Sequence, residues 1–581
     1  KIYFSDNIQD FSEASLGGMF LEMAAYVGDT MAYYLDHQYN ELNYETAVES
    51  VNLERHLRNS GVKISGASPA VMTAKFYIKV PAKYDSGISD YVPDPSALPI
   101  FKKGSRVATN AGVTFQLSHD IDWAEKDTAG EYVAEITNTN RRGGTPDSYF
   151  MVTTGLCVSG DSTAEKFSIS NIDVPFREIQ LSKASVSAID SVIDSEGNEY
   201  YEVESLSQDT VFKAVSNENF SEDGVRFNLQ VLNAERRYIV NESLKTRVTR
   251  IQFGSGSPSS INDDIIPDPS EMALPLFGKT NLTKFSIDPN SILKSRSMGV
   301  YPKNTTVTVN YRYGGGASHN VPANSASAVI SLDAVFPTTC TSDHRNSVLN
   351  SVDVVNELPA TGGADAPSTD ELRSLIPASR SMQNRIVTRQ DLLARLYSLP
   401  SEFGRLFRAS IVNNPNNPLA SVLHVVSRDK DGKLTQAPDA LKQNLSTYLN
   451  EFRLISNAID VFDVDIVNFT VEVNLVVQPG VNSTDVANSV INKLMDKFKI
   501  TNFEIGQPII ESEIINLILN TSGVMALDGL TVSSQTGTVL DRSYSDVVYN
   551  FESSKSNGQF MISQNAIFEM RYPDKDITVN I

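Results

Sequence analysis

The chain has 581 residues, 41% hydrophobic and 20% charged, enough for several domains of about 100–200 residues and a composition that excludes wholesale disorder. Its 49 basic residues face 70 acidic ones, a formal net charge of −21, so neither a nucleic-acid backbone nor an anionic membrane is an expected partner. Cys157 and Cys340 supply neither a disulfide framework nor a thiolate metal site and are expected as buried thiols, and no apolar run reaches the roughly 18 residues of a membrane helix.

The chain opens at Lys1, from which an upstream segment is expected. Phe20, Ala24, Val27, Met31 and Tyr34 follow a four-three-four-three spacing, the apolar stripe of an amphipathic helix and a short heptad pattern. Glu22, Asp29 and Asp36 recur every seven residues on another face. Ser12 or Ser15 is placed to cap this helix, with acidic residues near its positive end. A second helix is expected from about Tyr44 to Asn59, stopped by Gly61. Residues 1–60 hold three basic and ten acidic side chains, a net −7. Two readings of residues 1–61 stand: a hairpin packed on its own domain, or an arm whose helices join partner helices in a bundle.

From 62 to 337 the period becomes two and turn signals multiply. Ala74–Val80, Thr246–Phe253 and Thr305–Tyr313 are expected strands, and Asp194–Asn198 is an expected hairpin turn. The stretches 84–98 and 255–272, rich in Pro, Ser and Asp, are expected surface loops. The segment 338–402 is expected to be a helical connector, with helices at Thr369–Leu375 and Thr388–Leu399, the latter capped by Thr388 with Asp391 three positions on. Residues 403–533 read as an α+β domain: strands at Arg408–Val412 and Ser421–Arg428, a helix at Ala437–Ile455, then an apolar stretch from Ile459 to Val477. Alternation in that stretch slips by one residue between Ile466 and Val467, which predicts a bulge or two successive strands. Helices at 483–498 and 510–521 follow, with Gly523 as a stop, and 534–581 form a strand-rich extension. The expected class is multidomain α+β.

Chemical motifs fail on inspection. Gly278-Lys279-Thr280 lacks the phosphate loop's earlier glycine, because Ala273 stands there, and Pro275 interrupts the approach. Asp429-Lys430-Asp431-Gly432 opens like a calcium loop, but Lys433 and Ala440 occupy ligand positions, so a tight turn is expected. The acidic clusters Asp194–Glu202 and Asn262–Asp268 are expected as solvated loops. The six histidines are scattered, with no His-Glu-x-x-His pair, and no Gly-x-Ser-x-Gly elbow occurs. No enzyme, metal or cofactor is expected. An adhesin or polysaccharide-degrading enzyme stays as an alternative and predicts an acidic, aromatic-lined cleft in the β middle near Trp123, the one tryptophan.

An ordered set of short motifs remains. Asn356-Glu357-Leu358-Pro359-Ala360-Thr361-Gly362-Gly363-Ala364-Asp365 precedes Thr369-Asp370-Glu371-Leu372-Arg373, and then comes Arg385-Ile386-Val387-Thr388-Arg389-Gln390-Asp391-Leu392. Upstream lie Phe253-Gly254-Ser255-Gly256 and Tyr311-Arg312-Tyr313-Gly314-Gly315-Gly316, followed by Asn320-Val321-Pro322. This set resembles the baseplate J-like family, wedge proteins of contractile-tailed phages, over about Phe11 to Leu530. The chain departs from it in the long segment 257–300, at Pro367-Ser368, in its larger β middle and beyond residue 534.

The resemblance implies a structural subunit of a bacteriophage tail baseplate, built into the virion tail after assembly in the host cytoplasm, or the equivalent subunit of a phage-like injection device. It implies contacts with other copies of the chain, as a dimer within a ring around the central hub, with 403–533 supplying self-association. It also implies neighbouring wedge subunits at the N-terminal helices, hub and sheath-proximal proteins as further partners, and rearrangement when the tail contracts. Physically, Gly362-Gly363 permits positive φ or close backbone approach, Asp365 can accept backbone N–H groups, and Arg385 suits a carboxylate across an interface or within its own domain.

Overall fold

The computed structural model describes residues 15–581 except 88–89, 127–129, 217–226, 258–297, 382–384, 415–416, 418–419, 451 and 455–456. It is a multidomain α+β chain: a helical N-terminus, a β-rich body and a C-terminal region of sheets covered by helices. Ser12, the acidic cluster Asn262–Asp268 and Gly278-Lys279-Thr280 lie outside the described residues.

Helix α1 runs Leu16–Glu41, about 39 Å at 1.5 Å per residue. Ser15 caps it, its hydroxyl accepting from Gly18 N at 3.0 Å. Its first turn carries no acidic residue, so the expected complement to the helix dipole is missing there. The buried Glu41 carboxylate at its far end accepts from Val48 N (2.8 Å), Glu49 N (3.2 Å) and Asn52 Nδ2 (3.0 Å). That anchor holds 42–49 in turns, so helix α2 is Ser50–Asn59 and does not begin at Tyr44. Leu53 and Leu57 of α2 are buried with Val62, Leu244, Leu372 and Ile376, which makes α2 part of the body.

The middle contains two large sheets. In the eight-stranded one, Val71–Asp85 pairs antiparallel with Thr145–Ser159. Alternate side chains of Val71–Asp85 point into a core holding Phe76, Phe101, Phe115 and Trp123, the burial that drives a period-two segment to form a strand. Tyr84 and Asp85 continue that strand and pair with Asp90–Pro93, so part of the expected 84–98 loop is a hairpin. In the seven-stranded sheet, Thr305–Tyr313 lies between Asp161–Ile169 and Val186–Ile193. Its strand Val248–Phe253 starts two residues past the expected start, because Arg247, with φ of +54°, interrupts extended backbone there. The Asp194–Asn198 turn joins Val186–Ile193 to Glu199–Glu202, with the Asp194 carboxylate accepting from Glu196 N and Asn198 N at 2.9 Å.

Helices α3 (Ser342–Leu349), α4 (Thr369–Ser381) and α5 (Arg389–Tyr397) follow. The first was not signalled by the sequence, and α4 continues six residues past the expected end with Pro377 inside it. Next, Ala420–Arg428 pairs antiparallel with Arg408–Asn413 and parallel with Ala458–Asp463. Helix α6 (Asp439–Asn450), shorter at both ends than expected, buries Leu441, Leu445 and Leu449 in this unit's core. Two successive strands do occupy the long apolar stretch, but the phase slip between Ile466 and Val467 falls inside the second of them, where residues 466–469 are all buried. Ala458–Asp463 ends, and Asp465–Val477 begins a second sheet with Val524–Ser534, Ala566–Glu569 and Ile577–Asn580. Helices α7 (Ser483–Lys497) and α8 (Glu511–Leu519) pack Val490, Leu494, Ile514 and Ile518 into its core. Residues 534–581, expected as an extension, thus supply two strands parallel to the central one. Cys157 is buried, and burial pushes its thiol up to about 12; Cys340 is partly exposed, unlike the expectation.

Candidate functional site

Three of the sequence motifs meet at one junction under the eight-stranded sheet. Asn356 is fully buried. Its Oδ1 accepts from Ser325 N (3.0 Å) and Ala326 N (2.8 Å), and its Nδ2 donates to Pro322 O (3.0 Å) and Leu358 O (2.9 Å). Asn320 answers from the other side: its Oδ1 accepts from Gly363 N (2.8 Å), and its Nδ2 donates to Gly363 O (2.9 Å) and Arg428 O (3.2 Å). Two asparagines, each using donor and acceptor at once, clamp loops more than 30 positions apart in sequence. An amide side chain suits this because it mimics a peptide group.

The glycines allow the close approach. A Cβ at Gly363 would stand 2.6 Å from Gly316 O and 2.7 Å from Asn320 Oδ1. At Gly315, with φ +138°, it would stand 2.7 Å from Ser68 O, and at Gly316, with φ +108°, 2.8 Å from Asp365 Oδ1. That Asp365 oxygen accepts from Ala317 N at 3.2 Å. Gly362 has φ +89°, and its carbonyl accepts from Arg405 N at 2.8 Å, which ties the junction to the C-terminal region. Ser68 and Val71 bridge Ala364 and Thr361 in antiparallel fashion, so the entry strand of the body is fastened there too.

The other singled-out residues lie elsewhere. Gly254 and Gly256 end a strand of the seven-stranded sheet; a Cβ at Gly254 would stand 2.1 Å from Gly299 O, and Gly256 N donates to that same oxygen at 2.8 Å. Thr388 and Asp391 form a capping box at α5: Asp391 N donates to Thr388 Oγ1 (3.1 Å) and Thr388 N to Asp391 Oδ2 (2.8 Å). The backbone N–H of Thr388 is the main reason the Asp391 carboxyl is held below its ordinary value. Arg385 is exposed just before that box. Phe20, Ala24, Val27, Met31 and Tyr34 are all exposed on α1, and the exposed apolar surface is wider than this stripe: Met19, Leu21, Met23, Tyr26, Tyr33, Leu35 and Tyr39 are exposed as well.

Several groups that bind the molecule together were not signalled. Arg247 donates to Ser65 O (3.3 Å) and Pro367 O (2.7 Å), and lies 3.9 Å from the buried Glu242, whose carboxyl burial pushes up to about 7. Glu569, fully buried, accepts from Leu434 N (2.6 Å), Asn468 Nδ2 (2.8 Å) and Arg571 Nη1 (3.1 Å), linking the two C-terminal sheets. The links from Arg247 to Ser65 and Pro367, and from Glu569 to Leu434 and Asn468, span more than 100 positions and leave no periodic trace.

Ser159 Oγ lies 3.0 Å from His319 Nδ1, but it also accepts from Ala70 N at 2.8 Å and is fully buried. Trp123 is fully buried edge-to-face against Phe101, 5.5 Å between ring centres, so no aromatic platform stands open there. Among the described residues no group of three His, Cys, Asp or Glu is placed to hold a metal ion, and no helix is long and apolar enough to cross a membrane.

No family model and no curated protein sequence matches the chain. Among solved structures it is similar to a chain of the anti-feeding prophage (AFP) baseplate, 6-fold symmetrised, at 11% identity and a TM-score of 0.27, covering 96% of this chain and 87% of that one. It is also similar to a chain of the type VI secretion system TssK-TssF-TssG baseplate subcomplex, at 9% identity and a TM-score of 0.24, covering 77% and 96% respectively.

Proposed function

We propose that this chain is a non-catalytic structural subunit of the baseplate of a contractile injection machine, of the wedge type, in a phage tail or a phage-like device. It associates with copies of itself around a central hub, contacts neighbouring wedge and sheath-proximal subunits, and reseats its interfaces when the tail contracts. The observation that carries this reading is α1, a helix of 26 residues that leaves apolar side chains exposed along its length. Isolated apolar residues on a surface are ordinary, but a contiguous set on one helix marks a site of association. Part of the ordered set supports the same reading, because the segments around Asn320 and Asn356–Asp365 hold loops together at one junction. The glycan-cleaving alternative loses its expected cleft, since Trp123 is buried.

The experiment is a truncation that removes residues 1–38. It keeps Glu41 and α2, whose Leu53 and Leu57 belong to the body core. The truncated chain is expected to stay folded and to be absent from assembled particles when it replaces the full chain. Normal incorporation would overturn the role given to α1, and turnover of host surface glycan by the full chain, abolished by one carboxylate substitution, would overturn the structural reading.

A further inference from the structure

Beside the junction, between α4, α5 and the strand Arg408–Asn413, lies an open cleft of about 790 Å3. Its charged lining is three arginines, Arg405, Arg408 and Arg428, and two carboxylates, Glu371 and Glu504. Arg408 is satisfied: its Nε lies 2.9 Å from Glu504, and it donates to Thr501 O at 3.0 Å. Arg405 comes no nearer to Glu371 than 3.9 Å. The Arg428 guanidinium stacks 3.8 Å from the ring centre of Phe407, and among the described residues no ion pair or hydrogen bond engages it. A second guanidinium, of Arg408, lies 4.5 Å from the same ring. Burial, and then Arg408, push the Arg428 pKa down, with Glu371 opposing. The cleft therefore holds an excess positive charge, in a chain whose net charge is −21.

We propose that this cleft is a docking socket for an Asp or Glu side chain carried on an apolar segment of another baseplate subunit. A half-buried cation without a counter-ion is costly unless an anion completes it. Phe407 holds the guanidinium by a cation–π contact at 3.8 Å, and a carboxylate is the bidentate partner that a guanidinium fits. Tyr397 adds a donor: its hydroxyl accepts from Ala409 N at 3.3 Å, and its own proton has no acceptor among the described residues. Leu375 and Leu393 give the cleft the apolar walls that suit residues flanking the acid. Because Gly362 and Gly363 also line it, an incoming partner would bear directly on the junction that joins body to C-terminal region. The assembly part of this inference rests on the baseplate reading; the carboxylate site does not.

The test uses the full chain with glutarate as a soluble carboxylate probe, against chloride at equal ionic strength. At about ten times its half-saturation concentration, glutarate is expected to raise the unfolding midpoint by about 3 °C. Arg428→Met, which keeps contact with Phe407, is expected to fold with its chloride midpoint unchanged, lose that shift and fail to enter particles. Arg428→Lys, which keeps the charge but not the fork, is expected to need about tenfold more glutarate. An equal shift in wild type and Arg428→Met, or none in wild type, overturns the site whatever the chain assembles into. If glutarate or inorganic phosphate shifts wild type alone but Arg428→Met enters particles normally, the site takes free anions and the docking proposal falls, while the baseplate reading stands on the α1 truncation. A photo-crosslinker at Ser374 is expected to map, in particles, to a segment with an Asp or Glu among apolar residues; a map to this chain's own body overturns the socket.

Discussion

Replacing Asn356 by alanine removes the group on which the junction depends. The side chain is fully buried and makes four hydrogen bonds, two accepted and two donated, all with backbone of the same junction. A typical buried hydrogen bond contributes about 1 kcal/mol net, and each backbone group left without a partner costs about 1–3 kcal/mol. Water entering the vacated space can satisfy part of the set, so the expected loss is about 3–4 kcal/mol, near the upper end of single-site effects. For a unit of 150–250 residues that is a fall of roughly 6–16 °C in the unfolding midpoint. The assay is built in. Trp123 is the one tryptophan and shares a core with Val321, Val354 and Ala360, which flank the clamp. Urea titration followed by tryptophan emission therefore reports this unit. Asn356→Asp sharpens the test, because it keeps the acceptor toward Ser325 N and Ala326 N but turns an oxygen toward Pro322 O and Leu358 O. Its folded-state pKa must rise, so its stability is fullest below the unfolded carboxyl value and falls as pH increases. A loss under about 1 kcal/mol for Asn356→Ala, or a pH-independent Asn356→Asp, would refute the claim that this side chain holds the loops together.

Other substitutions test the same logic at different points. Gly363→Ala is expected to cost about 2–4 kcal/mol, because its Cβ meets a backbone oxygen at 2.6 Å, while Gly362→Ala, whose nearest neighbours are 3.6 Å away, carries mainly the left-handed strain of about 1–2 kcal/mol; equal losses in chemical denaturation would count against the packing argument. Glu242 binds a proton more tightly folded than unfolded, about 7 against 4.5, so stability is fully present below pH 4.5 and falls by about 3 kcal/mol as pH rises to 7. Glu242→Gln should flatten that part of the profile, and a slope unchanged from wild type would show that the carboxyl is not buried as described. Thr388→Ala is expected to destabilise by about 1 kcal/mol through loss of one arm of the capping box, with Thr388→Ser close to wild type.

Local features were legible in the residues. Alternation located Thr305–Tyr313 to the residue, Ser15 was one of two expected caps, and the box at Thr388 and Asp391 was visible as a spacing. The misplaced boundaries share one cause. Tyr44 to Glu49 has helical pattern enough, but Glu41 reaches forward and takes the N–H groups of Val48 and Glu49, so the second helix starts at Ser50. A carboxylate acting across seven residues outweighs a propensity difference of a few tenths of a kcal/mol per residue. The same holds for the extension beyond 534. Its strands Ala566–Glu569 and Ile577–Asn580 exist because Asp465–Val477 offers them an edge about 100 positions away, and nothing local in those four-residue runs specifies the partner.

The long apolar stretch carries two separate events. The slip between Ile466 and Val467 lies inside the strand Asp465–Val477, where residues 466–469 are all buried, so backbone covered on both faces takes the phase change without exposing apolar side chains. The change of sheet comes just upstream, where Ala458–Asp463 gives way to Asp465–Val477. Here the second strand leaves the first sheet, takes Val524–Ser534 as a new antiparallel neighbour, and keeps Phe469, Val471 and Val473 buried in a different core. Two units thus share one continuous stretch of chain and are sealed by Glu569, which reaches Leu434 in one and Asn468 in the other. A subunit proposed to change its outer contacts while keeping its shape requires such internal seals, and the junction at Asn356 and Asn320 meets the same requirement where the body joins the connector. The surfaces left to vary are α1 with its exposed apolar length, which the seals do not touch, and the arginine cleft beside α4 and α5, which opens against the junction at Gly362 and Gly363.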